Sequence, residues 1–478
     1  MTPSTCDALV FTTRRKQPEL IPPSKPTPHE FKYLSDMDER LCFHTPVIQV
    51  YRNNENKSNM GRNPNPVDVI REAIANALVF YYPFAGRVRE SPSGGKLVVE
   101  CTGEGVLFIE ADADICLDQF INTNGLIPPF QSSNELLCVV PGSVDLINCP
   151  LLFIQVTRLL CGGFVLAIRL NHTISDAQGL HQFMMAVGEI ARGNKSPSVL
   201  PVWQRELLNS CEPQAIPNRE YHLFRRTRIA SPPSGQDRRT QRTLFFGPQE
   251  IVAVKRHLPP HLRTCSNFEI LTAWLWRCRT VAFNLDPKED VRLFFTVNGR
   301  GKNRLNLPVG FYGNALGYVM AYSTAENLCK NSLGYTLDLV INSKSKFLNT
   351  ETAGDKNTTM KKKMFRSWTD LMTNYALEGS HYFITDVTRA RFAEVDYGWG
   401  KAVYGAPIIL YDLPYPEERS FYIPYENIKG EYGICVPVCF PHESMERFVV
   451  EIGRMVGEPP VKWNNQSQAS NKPICSAL

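Results

Sequence analysis

Val67, Ile70, Ile74, Ala77 and Leu78 fall on one face of a helical repeat, which predicts a helix that ends before Pro83 in YYPFAGR. Residues 97–100 and 106–109 read as strands. Residues 151–160 and 164–170 are two apolar, β-branched runs joined by Cys161-Gly162-Gly163, the pattern of a hairpin. The second run leads straight into Asn171-His172-Thr173-Ile174-Ser175-Asp176. After it, Ala177, Leu180, Phe183, Met184, Val187, Ile190 and Ala191 keep helical spacing until Gly193-Asn194. His172 is thereby placed where a buried strand turns into a helix. Ser266 and Glu269 form a capping box for a further helix through Arg279, with Phe268, Leu271, Leu275 and Cys278 on one side, and a strand follows at 292–297.

Polar stretches separate these elements. The Pro-rich start at 18–28 wraps into the first of them, and 53–66 reads as a surface loop. Residues 211–243, rich in Pro, Ser, Arg and Gln (SPPSGQDRRTQR), read as an interdomain crossover between a domain at 1–210 and another at 244–478. NTETAGDKNTTMKKK at 349–363 reads as an exposed loop. A chain of 478 residues exceeds what one core comfortably supports. Strands and helices mix in both halves, so the expected class is α/β in two units of similar size.

Composition narrows the partners. Hydrophobic residues make up 43% and charged residues 21%, which is globular. The 52 basic and 47 acidic residues are interspersed, with no basic stripe alternating with aromatics, which excludes nucleic acid. No apolar run approaches the roughly 18 residues that cross a bilayer, so no membrane partner is expected. Met1 to Asp7 lacks a basic segment and the apolar piece from Ala8 to Phe11 is short, so the expected location is cytoplasmic. Ser476-Ala477-Leu478 is similar to the peroxisomal Ser-Lys-Leu tripeptide but lacks its Lys. Fourteen scattered cysteines then imply reduced thiols. Cys435 and Cys439 in CVPVC read as part of a buried strand, and no metal site is expected.

Two motifs carry the candidate chemistry. With nine histidines, the spacing His172-x-x-x-Asp176 arises readily by chance, so its context decides. A neutral imidazole on a loop of small residues is suited to take a proton from an alcohol. Asp176 then either orients it or binds an arginine. The alternative is a core histidine satisfied by backbone carbonyls, with Asp176 as a helix N-cap. Asp396-Tyr397-Gly398-Trp399-Gly400 suits a tight buried loop in which Asp396 accepts hydrogen bonds.

Together these motifs are the paired signature of the plant BAHD acyl-CoA-dependent acyltransferases, which the chain resembles over nearly its whole length. Further landmarks stand in order: YYPFAGR at 81–87, IQVTRLLCGGFVLAIRLNHTISDAQG at 154–179, CSNFEILTAWLWRCR at 265–279 and FYGNALG at 311–317. Two departures exist, Tyr397 for the usual Phe and Ala177 for a frequent Gly, and neither removes a functional group. The resemblance implies a fold like chloramphenicol acetyltransferase, two α/β domains with mixed sheets and an active-site channel between them. It implies His172 as general base and Asp176 as an orienting acid turned away from substrate toward Arg300. Thr385 is the hydroxyl matched to an oxyanion contact, and Asp396, Tyr397, Gly398, Trp399 and Gly400 form a loop that shapes the fold. Acyl-CoA is then a co-substrate, with no resident cofactor, and the enzyme is expected to act as a monomer.

A condensation domain of peptide synthetases would need a second His where Asn171 stands, and a hydrolase would need a Gly-x-Ser-x-Gly elbow, which is missing. A non-catalytic relative would lack the base or the loop glycines, all of which are present. A cysteine nucleophile is a further rival, but Cys161 beside Gly162-Gly163 suits a turn better than an active site. Likeness is closest to family members that make esters in plant specialised metabolism from benzoyl-, anthraniloyl- or tigloyl-type CoA thioesters. Their acceptors are small alcohols, including benzyl alcohol and alkaloid alcohols, and an N-acyltransferase of the same family is the alternative.

Overall fold

The computed structural model describes residues 11–53, 64–92, 94–119, 133–138, 140, 146–209, 239–301, 304–349, 356–375, 379–408, 418–427 and 429–456. The strands of the first half are β1 (Thr13–Arg15), β2 (Glu19–Ile21), β3 (Phe31–Tyr33), β4 (His44–Tyr51), β5 (Arg87–Glu90), β6 (Leu97–Glu100), β7 (Val106–Ala113), β8 (Leu152–Arg158) and β9 (Phe164–Asn171). Those of the second half are β10 (Arg239–Phe246), β11 (Asp290–Asn298), β12 (Leu316–Thr324), β13 (Ser380–Asp386), β14 (Tyr404–Pro407), β15 (Arg419–Glu426) and β16 (Tyr432–Pro441). They form three sheets: seven strands in the order β1-β7-β8-β9-β4-β14 with β2 also on β7, six in the order β10-β16-β15-β13-β11-β12, and three in the order β3-β6-β5. With its helices this is the expected mixed α/β class.

The hairpin legible in the sequence is β8 and β9, paired antiparallel from Leu152 opposite Leu170 to Arg158 opposite Phe164. Strand β9 has β8 on one side and β4 on the other, and all its residues are buried. That is why it reads as a mostly apolar run, interrupted at Arg169, rather than an alternating one. Its last residue, Asn171, lies opposite His44 of β4, so the chain leaves the sheet at His172. Helix α1 (Pro66–Phe80), capped by Asn65, packs against α2 (Ala177–Ala191), and both bury their apolar faces in one cluster with Ile48, Ile154 and Leu166 of the sheet.

The second large sheet is covered by α3 (Asn267–Phe283), which carries the reciprocal Ser266/Glu269 capping box and buries Trp274 and Trp276. Helices α4 (Leu333–Leu348) and α6 (His442–Val456) flank α3 in the same cluster. Cys435 and Cys439 both lie buried within β16. A smaller cluster joins the halves: Met37, Leu41 and Leu208 pack with Phe294, Phe311, Met364 and Trp368. Strand β14 pairs antiparallel with β4, so a segment late in the chain closes the edge of the first sheet. Among the described residues no helix is long and apolar enough to cross a membrane.

Two expectations need correction. The polar stretch at 349–363 is not wholly a loop, because α5 (Lys356–Tyr375) begins within it, while 350–355 lie outside the described residues. Met360, Met364, Trp368 and Leu371 keep a helical period and bury that face in the joining cluster, and Lys361 to Lys363 cover the other sides. The crossover expected at 211–243 is described only from Arg239, where β10 already pairs with β16 along its whole length. Its buried positions begin with Thr240 and Arg242, which bond to His442 and Glu446 of α6, so no apolar alternation marks the start of the strand.

Candidate active site

The turn after β9 is built by its own side chains. Asn171 Oδ1 accepts from Thr173 N at 3.2 Å and Thr173 Oγ1 at 2.8 Å, and Ile174 N donates back to Asn171 O at 3.2 Å. His172 N donates to Phe43 O at 2.8 Å, and its ring sits 4.9 Å from that of Phe43. The residue is half-buried, with Nδ1 sealed inside, while Thr173, Ser175 and Asp176 around it are buried. Helix α2 starts close by, because Asp176 Oδ1 caps it, accepting from Gln178 N at 3.1 Å and Gly179 N at 3.0 Å.

A long loop between β11 and β12, described at residues 299–301 and 304–315, reaches from the second half to grip this turn. Arg300 Nη1 donates to Asp176 Oδ2 at 2.6 Å and Nη2 to Oδ1 at 3.1 Å, a two-pronged ion pair. Ala315 N adds a bond to Oδ2 at 3.0 Å, and Ser175 Oγ donates to Tyr312 O at 2.8 Å. Gly179 lets the two segments touch, since a Cβ there would run into the Tyr312 carbonyl and the Ser175 hydroxyl. Asp176 therefore serves as helix cap and as arginine partner at once, the two roles that the sequence posed as alternatives.

A second buried carboxylate lies behind the turn. Asp38 and Arg205, 0% and 1% exposed, pair at 3.2 Å, and Arg205 Nη2 donates to Ile174 O at 2.8 Å. Arg205 is roofed by the rings of Trp203 at 4.4 Å and Tyr312 at 4.9 Å. Asn314 Nδ2 joins this pair to the turn, donating to Asp38 Oδ1 at 2.7 Å and to His172 O at 2.8 Å.

Electrostatics follow from the burial. Desolvation holds the His172 imidazole below its ordinary pKa, partly opposed by the Asp176 carboxylate, the histidine's own backbone, Asn314 and Asp38, so the ring is neutral at neutral pH. Desolvation alone would raise the Asp176 carboxyl. The Arg300 charge and hydrogen bonds, with the Ala315 and Gly179 amides, outweigh it and hold Asp176 below the usual carboxylate range.

The Asp396 loop lies elsewhere. Asp396 Oδ1 accepts from Gly398 N at 2.7 Å and Gly400 N at 2.8 Å, while φ is 114° at Gly398 and 87° at Gly400, which favours glycine at both. Trp399 packs edge-on to Phe164 of β9 at 5.2 Å, and Arg192 at the end of α2 bonds to Asp396 O. The loop thus locks the start of β9 and the end of α2, away from the turn between them. The hydroxyl that distinguishes Tyr397 from Phe donates to Gln49 Oε1 of β4 at 3.2 Å. Thr385 sits on β13 opposite Phe421 of β15. It shares its sheet face with Phe383, which packs on the cluster joining the halves.

Comparison with known proteins then assigns the chain. A match to the Transferase family runs over residues 10–455. A benzyl alcohol O-benzoyltransferase of Petunia hybrida is 50% identical over 459 residues, covering 94% of each chain. The chain belongs to this family, the BAHD acyl-CoA-dependent acyltransferases. An alcohol acyl transferase of Malus domestica is 46% identical over 462 residues, covering 94% of this chain and 95% of the relative. The solved structure of vinorine synthase shares the fold at TM-score 0.67 with 20% identity, covering 94% of this chain and 99% of that one. The first condensation domain of the CDA synthetase aligns at TM-score 0.50 with 11% identity, covering 90% and 97%. As an enzyme, this BAHD member is an acyltransferase of the acyl-CoA:alcohol type, transferring groups other than aminoacyl groups.

Three residues of this BAHD site escaped the sequence reading: Asp38, Arg205 and Asn314. Asn314 stood in the landmark FYGNALG without a role. Asp38 offered a faint signal, an acid among Leu34, Met37 and Leu41, which are themselves apolar at helical spacing.

Asp176→Asn and Arg300→Met should each destabilise the enzyme by about 3 to 5 kcal/mol, since each strands one member of a buried ion pair. The double variant should lose less than the sum by at least about 1 kcal/mol, measured by urea unfolding, and strict additivity would contradict the coupling. Tyr397→Phe should cost about 1 to 2 kcal/mol by leaving Gln49 Oε1 short of a donor. Its specific activity at 25 °C should match the parent, and a large loss of turnover with an unchanged melting curve would speak against a purely structural loop.

Proposed function

We propose that this enzyme moves an aromatic or branched acyl group, of the benzoyl, anthraniloyl or tigloyl kind, from its CoA thioester to a small alcohol in plant specialised metabolism, with His172 as general base. The observation that carries the mechanism is the placement of His172, with Nδ1 sealed inside and partial exposure remaining, on a turn held from both halves of the chain, where burial favours the neutral imidazole. The donor and acceptor classes rest on the names of the relatives, a benzyl alcohol O-benzoyltransferase and an alcohol acyl transferase.

In this reading Nε2 takes the hydroxyl proton as the alcohol oxygen attacks the thioester carbon. The C–O bond forms, the tetrahedral oxyanion collapses, the C–S bond breaks, and the CoA sulfur leaves with the proton carried by Nε2. Asp176 takes no proton, because Arg300 and three backbone amides consume its lone pairs. Its role is to hold the turn. Thr385 is assigned to the oxyanion. A covalent acyl-cysteine route has less support. Cys161 is exposed at the tip of the β8–β9 hairpin, at the end of β9 remote from His172. Cys42, next to Phe43, donates to Glu39 O at 3.4 Å, and burial pushes its thiol up to about 12, so it stays protonated.

The decisive assay crosses a panel of acyl-CoA thioesters with alcohols and amines and detects product by mass spectrometry. Benzoyl- or tigloyl-type ester should dominate, and turnover restricted to amines would overturn the alcohol reading. His172→Ala should lower kcat at least about 100-fold with the melting temperature kept, and activity within a few fold of the parent would remove His172 as base. Because the base form is the neutral one and the pKa is lowered, kcat/KM should be level near pH 7 and fall only as pH drops through a midpoint below 6.5. Intact mass on incubation with acyl-CoA alone should show no adduct, whereas a hydroxylamine-labile acyl adduct would establish a covalent intermediate.

A further inference from the structure

Strands β7 and β8 run parallel and pair as far as Asp112 opposite Arg158, so the chain leaves both at the same end of the sheet, side by side. The two exits stay together. Leu160 N donates to Ile115 O at 3.0 Å, and Ile115, Leu117 and Leu159 are buried beneath them. Cys116, just past β7, is thereby set beside Cys161, at the tip of the β8–β9 hairpin. Leu117 N donates to Cys161 Sγ at 3.3 Å, and the Cys116 thiol is hydrogen-bonded to the same sulfur. Local bonds fix both positions. Cys116 N donates to Gln119 Oε1 at 2.7 Å, while Gly162, at a φ of 79°, turns the hairpin and donates its N–H to Leu159 O at 3.0 Å. Both thiols are free, Cys161 fully exposed and Cys116 partly so, whereas Cys278, Cys435 and Cys439 are sealed in the core.

We propose that Cys116 and Cys161 are a redox-active dithiol that closes to a reversible disulfide at the expense of a small disulfide of the glutathione type, and so clasps the exit of β7 to the β8–β9 tip. This does not depend on the reading of His172. Cys161 is the more exposed sulfur, so its thiolate is the one to attack the external disulfide. A Cys161–glutathione bond forms, the glutathione disulfide bond breaks, and the first glutathione leaves with the Cys161 proton. Desolvation, then the neighbouring Cys161, push the Cys116 thiol up, so it waits protonated through this step. Once Cys161 carries glutathione its charge no longer opposes ionisation of Cys116. Cys116 then attacks Cys161 Sγ, the bond to glutathione breaks, and the second glutathione leaves with the Cys116 proton. The pair has lost two electrons and the glutathione disulfide has gained two. Because Cys161 lies at the end of β9 remote from His172, closure bears on stability and not on turnover. A cross-link between residues so far apart in the chain restricts the unfolded state more than the folded one.

The test incubates the full chain with reduced glutathione or with glutathione disulfide at pH 8, blocks the remaining thiols with N-ethylmaleimide, and maps the digest by mass spectrometry. Glutathione disulfide should yield a peptide pair joined through Cys116 and Cys161 that dithiothreitol separates. The oxidised enzyme should melt about 3 to 8 °C higher with kcat unchanged. Cys116→Ser should instead keep glutathione on Cys161 and show no such rise. A parent enzyme that leaves both thiols free, retains glutathione on Cys161, or links Cys161 to another cysteine overturns the proposal, and that result is read from the parent whether or not the variant folds. A Cys116–Cys161 link with no rise in melting temperature overturns the clasp.

Discussion

Two buried carboxylates organise this molecule. Ionised Asp176 and Asp38 each carry a desolvation cost of several kcal/mol, which is tolerable only when an ion of opposite sign and further donors meet them at short range. For Asp176 those donors come from the start of α2 and from Arg300 and Ala315 in the loop between β11 and β12. For Asp38 they come from Ser35, Arg205 and Asn314. Neither set is complete unless the first and second halves of the chain are together. The requirement to satisfy both acids therefore selects one arrangement of the β9–α2 turn, in a way that nondirectional apolar packing between Met37, Leu41 and Trp368 would not.

The same bookkeeping keeps His172 usable. Burial by itself favours the neutral ring, and two bare anions close by would favour the charged one. Because each anion has its own arginine, their pull on the imidazole is reduced and burial prevails. A base that acts near neutral pH needs that outcome, since a ring already protonated accepts nothing. The Asp396 loop contributes from a distance. By tying the start of β9 to the end of α2 it fixes both ends of the strand–turn–helix unit whose middle holds the histidine.

Much of this was legible along the chain. Strand β9 and helix α2 announced themselves because each buries residues at its own regular period, and the junction between them located His172. The Ser266/Glu269 capping box was legible because its two bonds span three residues. The Asp396 turn was legible because Gly398 and Gly400 supply backbone angles that other residues avoid. By contrast, α5 hid its start behind a charged surface, and β10 buries Thr240 and Arg242 against α6, so its first residues resemble a linker.

What the sequence determined by itself is the set of local elements, the position of the histidine at a strand end and, through its paired motifs, the family. What only the tertiary structure decided is how the second acid is answered and how the pieces meet: that Arg205 meets Asp38, that Asn314 bridges Asp38 to the His172 carbonyl, and that the Arg300 pair, expected from the family resemblance, grips Asp176 with two prongs. The physical reason is range. Periodicity, capping and turn angles act over a few neighbours and leave their mark in consecutive residues. A buried charge accepts a partner from anywhere in the chain, as Asp38 does from Asn314 and Asp176 from Arg300, and its pairing is settled only when distant segments close around it.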